Sequence, residues 1–198
     1  SSQQEQQKEF LIIKATVLKI IFPILPLICS LLIIFLPLSA QATDNLLVTY
    51  YDERNNDKSA GTAFSGNVVQ TENLATIDFT NINPGSVTNN FSIIVEGFIY
   101  AATDGVYEFE TRSDDGVRLM VDGSLVIDNW VNQSARNKTA TVNLVSGWKA
   151  IRIEHYEAGG NQRLRFRWKK PGESAFGFPQ AADLSRIFPA DPTNSNTT

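Results

Sequence analysis

The stretch Val117-Arg118-Leu119-Met120-Val121-Asp122-Gly123-Ser124-Leu125-Val126-Ile127 reads as two short strands around a tight turn. Apolar and polar residues alternate on both sides of Asp122-Gly123, and Asp-Gly accepts the positive φ that a type I′ turn demands. Period-two alternation extends outward from there. Upstream, Tyr107, Phe109 and Thr111 share one face of a strand, with Glu108, Glu110 and Arg112 on the other. Downstream, Leu164, Phe166 and Trp168 alternate with Arg163, Arg165, Arg167 and Lys169.

The same reading places strands at Leu46–Tyr51, Phe91–Ala101, Val106–Thr111, Val117–Val121, Leu125–Ile127, Thr139–Val145, Trp148–Tyr156 and Gln162–Lys169. Weaker strands are expected around Val68 and Ile77, inside a loop-rich region from 52 to 90. No stretch after Thr43 has a helical period. Short strands with Gly and Asp turns predict an all-β, antiparallel sandwich or barrel.

The first 42 residues read differently. Lys8, Lys14 and Lys19 precede Ile20–Leu38, an uncharged apolar run that ends in Ser39-Ala40-Gln41-Ala42. A basic start, an apolar centre and a small-x-small exit predict a secretory signal, or an uncleaved membrane anchor at 10–38. Ile28 before Cys29 is too bulky for a lipoprotein signal. The expected organisation is a signal or anchor at 1–42, a sandwich at 43–188, and a tail or linker stub at 189–198. The sandwich is then secreted or held at the cell surface, and the membrane is met only through 10–38.

Charge and composition exclude several functions. The net charge is −4 over 198 residues. Residues 1–42 carry three lysines and two glutamates; the remainder holds 14 basic and 19 acidic side chains, a net of −5. That argues against nucleic acid as a partner. Cys29 is the only cysteine and His155 the only histidine. Disulfide frameworks, thiolate zinc sites, catalytic thiols and paired imidazoles are therefore ruled out for the domain.

The candidate chemistry centres on Ser113-Asp114-Asp115-Gly116. Adjacent carboxylates repel unless a cation or hydrogen-bond donors lie between them. Neighbouring side chains on a strand also point to opposite faces, so both reach one ion only where the backbone is unusual. A cis Asp114–Asp115 peptide, costing on the order of 3 kcal/mol, meets that requirement, with a calcium ion to offset it. A plain hydrogen-bonded turn is the other reading of the same residues.

Several blocks taken together resemble the PA-fourteen domain family, which includes segments of anthrax protective antigen, bacterial glycosidases and adhesins, and yeast flocculins. They are Leu46–Tyr51, Asn90-Phe91-Ser92 through Tyr100, Asp104–Phe109, Ser113–Asp128, Ser146-Gly147-Trp148, Ile151–Glu157 and Leu164–Trp168. The resemblance implies a two-sheet β-sandwich. In the family's lectin members two aspartates joined by a cis peptide hold Ca2+, and sugar hydroxyls complete its shell. Those aspartates correspond to Asp114 and Asp115, and a further loop corresponds to Ala158–Gln162. Asn161 is thereby the expected third metal ligand, and Gln162 lies with it at the ligand rim. Relatives often carry Trp where this chain has Val95.

The function expected from this is a non-enzymatic, calcium-dependent carbohydrate-binding module directed at glycans of cell surfaces or extracellular matrix. The alternative is a structural or assembly module of a larger extracellular complex, without a sugar ligand. Trp130 and Trp148 are expected in packing, His155 buried, and the Arg163–Lys169 stripe as a solvated face that blunts edge pairing. Glu154 and Glu157 show no glycosidase spacing.

Overall fold

The computed structural model describes residues 45–55 and 63–188. The signal or anchor expected at 1–42 and the tail expected at 189–198 lie outside these residues. Among the described residues no helix is long and apolar enough to cross a membrane.

The described residues form eleven strands, in chain order β1 (Leu46–Asp52), β2 (Asn67–Leu74), β3 (Asp78–Thr80), β4 (Phe91–Ala101), β5 (Gly105–Asp114), β6 (Val117–Val121), β7 (Ser124–Asn129), β8 (Arg136–Leu144), β9 (Gly147–Glu157), β10 (Arg163–Lys169) and β11 (Leu184–Ser185). One sheet has the order β2-β1-β4-β9-β6-β7, with β11 also pairing β4; the other has the order β3-β10-β5-β8. Every pairing between strands is antiparallel. The longest register runs from Phe91↔Glu157 to Ala101↔Gly147.

The alternating residues of both sheets meet in one apolar core. Val48, Tyr50, Ile93, Val95, Leu119 and Ile153 come from the larger sheet; Tyr107, Phe109, Leu164, Phe166 and Trp168 come from the smaller. The rings of Phe109 and Phe166 stack 6.2 Å apart at 13°. Fully burying one such side chain contributes about 1.5–3 kcal/mol, so no covalent staple is needed. Val95 is completely buried in this core. The architecture is the two-sheet sandwich, and the barrel is excluded because two sheets with separate edges are formed.

The Asp122-Gly123 turn adopts φ of 47° and 75°, as the sequence predicts. One expectation is corrected. The Arg163–Lys169 stripe does not guard an edge, because β10 lies between β3 and β5. Its cations instead meet carboxylates on neighbouring strands: Arg163 with Asp78, Arg165 and Arg167 with Glu110, and Lys169 with Glu108. Period-two alternation shows which face a residue occupies and says nothing of where its strand lies in the sheet.

Candidate metal centre

Strand β5 belongs to the smaller sheet and β6 to the larger, so Asp114-Asp115-Gly116 is the corner at which the chain changes sheets. The Asp114–Asp115 peptide is cis. Gly116 makes the corner fit: a Cβ there would lie 2.1 Å from the ring of Tyr156. The Gly116 carbonyl accepts the Tyr156 amide at 3.1 Å and lies 3.0 Å from His155 Nδ1.

Asp114, Asp115 and Glu157 each place a carboxylate oxygen within 4.8 Å of the others'. Their exposures are 8%, 6% and 0%. At an effective dielectric of about 20, two unit charges at this separation repel by roughly 3 kcal/mol. Backbone amides offset part of that cost. Asp114 Oδ2 accepts from Ala135 N–H at 3.1 Å, and Asp115 accepts from Gln133 N–H at 2.8 Å and Ala158 N–H at 2.9 Å.

The residual strain on the charge is visible in proton affinities. Burial, and then the Asp115 carboxylate, push the Asp114 pKa up, against the lowering pull of the Ala135 amide. The Tyr156 hydroxyl is pushed up to about 12 by burial and by the charges of Asp115 and Glu157. Tyr156 donates to Asn132 Oδ1 at 2.6 Å. The Gln133 side chain donates to Ser113 Oγ at 3.2 Å, which ties the 130–135 loop to the corner.

The residues present fit a hard divalent cation. The donors are three carboxylates, buried, mutually repelling and all oxygen, which is the ligand chemistry of calcium. Glu157 was not expected in this role. It closes β9, beside the Ile151–Tyr156 alternation, and nothing local marks it as different from Glu154. Glu154 instead pairs with Arg152 at 2.8 Å and Arg118 at 3.8 Å.

The other sequence candidates take different places, and Trp148, at the start of β9, lies at the far end of that strand from Glu157. Asn161 is exposed in the loop between β9 and β10. Gln162 is buried at 6% exposure and donates through its side-chain amide to the Thr88 carbonyl, while its Oε1 is buried without a hydrogen-bond partner. His155 is fully buried, and burial lowers its pKa to about 4, so it is neutral at physiological pH. Because a carbonyl only accepts, Nδ1 carries the proton. Trp130 packs edge-on to Tyr156 at 4.7 Å with the Arg118 guanidinium 4.4 Å from its ring centre, and Trp148 packs on Tyr100 at 5.1 Å.

Comparison with known proteins shows the family and the fold. The family model described as "PA14 domain" matches residues 46–181. The Anti-sigma-I factor RsgI3 of Acetivibrio thermocellus is 31% identical over 104 residues, covering 52% of this chain and 16% of that protein. A solved anti-sigma factor domain-containing protein from Clostridium clariflavum is similar at a TM-score of 0.59 and 25% identity, over 72% of this chain and 48% of that one. A solved PA14 sugar-binding domain from an RTX adhesin is similar at a TM-score of 0.61 and 20% identity, over 74% of this chain and all of that one. The chain thus spans a sixth of the curated relative and about half of the anti-sigma structure. With the match running from the first strand to the last turn before β11, the chain belongs to the PA14 domain family.

Proposed function

We propose that this domain is an exported or surface-held carbohydrate-binding module that works through calcium. The observation that carries the reading is the buried trio of Asp114, Asp115 and Glu157 within 4.8 Å. These residues would hold the ion, which when bound supplies open coordination positions for the hydroxyls of a sugar. Asn161, exposed on its loop, would meet the ligand directly. Gln162, anchored at Thr88, would hold that loop at the rim. The sugar-binding function named for the RTX adhesin domain supports the ligand class. Export is supported by the apolar Ile20–Leu38 run and its Ala40-Gln41-Ala42 exit. A single site of this kind binds weakly, and repeated copies supply the avidity that adhesion requires.

Titration calorimetry with calcium on the wild-type chain and Asp115→Asn tests the metal, followed by a glycan array in calcium and in EDTA. Calcium heat lost in Asp115→Asn, with glycan signal only in calcium, is the expected result. No heat and no glycan signal would favour the second reading, a structural module within a larger protein. That reading draws on the anti-sigma relative, of which this domain covers only 16%.

A further inference from the structure

The outer face of the smaller sheet holds two neighbouring arginines with a single carboxylate, that of Glu110, between them and Arg167. Arg112 on β5 stands directly opposite Arg165 on β10. Like charges at such positions destabilise a sheet unless something lies between them. Glu110 does not fill that need alone. It accepts from both Arg165, at 3.2 Å, and Arg167, at 2.9 Å, and also from Asn137 at 2.8 Å.

Arg112 forms no ion pair among the described residues; its guanidinium donates to Asn137 Oδ1 at 3.0 Å. The Arg165 Nε–H is shielded from solvent and has no hydrogen-bond partner. That shielded nitrogen is out of a ligand's reach; what favours an anion here is that Arg112 has no carboxylate partner and Arg165 shares Glu110 with Arg167. The far half of the face is covered differently: Phe176 lies 5.9 Å from Arg167 and 5.5 Å from Lys169. Beside Arg112, Asn137 and Thr139 of β8 are exposed.

We propose that Arg112 and Arg165 form an oxyanion subsite for an acidic saccharide, taking a uronate carboxylate or a sulfate ester. The planar guanidinium fork matches either oxyanion through paired hydrogen bonds. Asn137 and Thr139 offer the hydroxyl-matching groups that a sugar ring needs. A nucleic acid suits the site less well, because the excess charge is one local pair on a domain of net −5. Arg112 is two residues before Asp114, so about 7 Å along the strand from the acidic corner. One oligosaccharide can span both. The subsite does not require the metal.

The test therefore runs in EDTA, by biolayer interferometry of the whole chain on alginate, dextran sulfate and neutral dextran. Binding to an acidic polymer and not to neutral dextran is expected, weakening as salt rises. The preferred polymer distinguishes carboxylate from sulfate. Arg112→Gln should weaken binding by roughly tenfold or more. Arg165→Lys, which keeps the charge beside Glu110 and removes the fork, should also weaken it, with the melting temperature of each variant checking the fold; where Arg112→Gln unfolds, Arg112→Lys replaces it. Equal binding to neutral dextran, no binding to either acidic polymer, tighter binding to duplex DNA, or full affinity in folded Arg112 and Arg165 variants would overturn the proposal.

Discussion

Strand β6 is bracketed by two aspartate–glycine steps, Asp115-Gly116 before it and Asp122-Gly123 after it. At the second, the backbone needs glycine for its dihedral: φ is 75°, and a Cβ would meet nothing within 4 Å. Asp122 there is half exposed, accepts the Ala150 amide at 2.9 Å and has Lys149 at 3.9 Å. At the first, glycine is needed for room, since the Tyr156 ring occupies the place of a side chain. Asp115 there is buried beside two more carboxylates. Identical residue types thus serve a hairpin in one place and a charged corner between sheets in the other. What separates them is the surrounding chain.

The contrast is open to measurement. Gly116→Ala should lose about 3 kcal/mol, the upper range for overpacking, read as a fall in the urea midpoint. Equal losses at Gly116 and Gly123 would erase the distinction. Acid should strike the first corner through His155, whose folded pKa lies below its unfolded value. Its contribution is present above about pH 6.5 and is lost as the pH falls toward 4. That loss is about 3 kcal/mol at most, and denaturation curves in EDTA should show it flattened in His155→Gln. Asp114 works in the opposite sense: with its folded pKa raised, it favours the fold in acid, and that contribution disappears as the pH climbs through the folded value.

Calcium at about a hundred times its dissociation constant should stabilise the wild type by about 2.7 kcal/mol, raising the melting temperature. Glu157→Gln and Asp115→Asn should abolish that rise, whereas Asp122→Asn should leave it intact. Gly123→Ala should be the mildest change, about 1 kcal/mol, because only the left-handed backbone is affected.

Local chemistry made part of this legible. The Asp122-Gly123 turn, the β4 and β6 boundaries and the inward face of β10 all follow from neighbours in sequence. So does the suspicion attached to Asp114-Asp115. Glu157 was hidden because its meaning comes from the β4–β9–β6 pairing that carries the end of β9 to the corner. The donors that hold the aspartates were hidden more deeply. Gln133, Ala135 and Ala158 contribute backbone amides, which carry no side-chain signature. The central position of β10 was equally out of reach, since alternation looks the same in an inner strand and an edge.

The corner also has a mechanical consequence. Its amide donors come from the loop leading into β8 of the smaller sheet and from the loop leaving β9 of the larger. Sliding the sheets past one another at that end must therefore pull carboxylates from amides as well as part greasy surfaces.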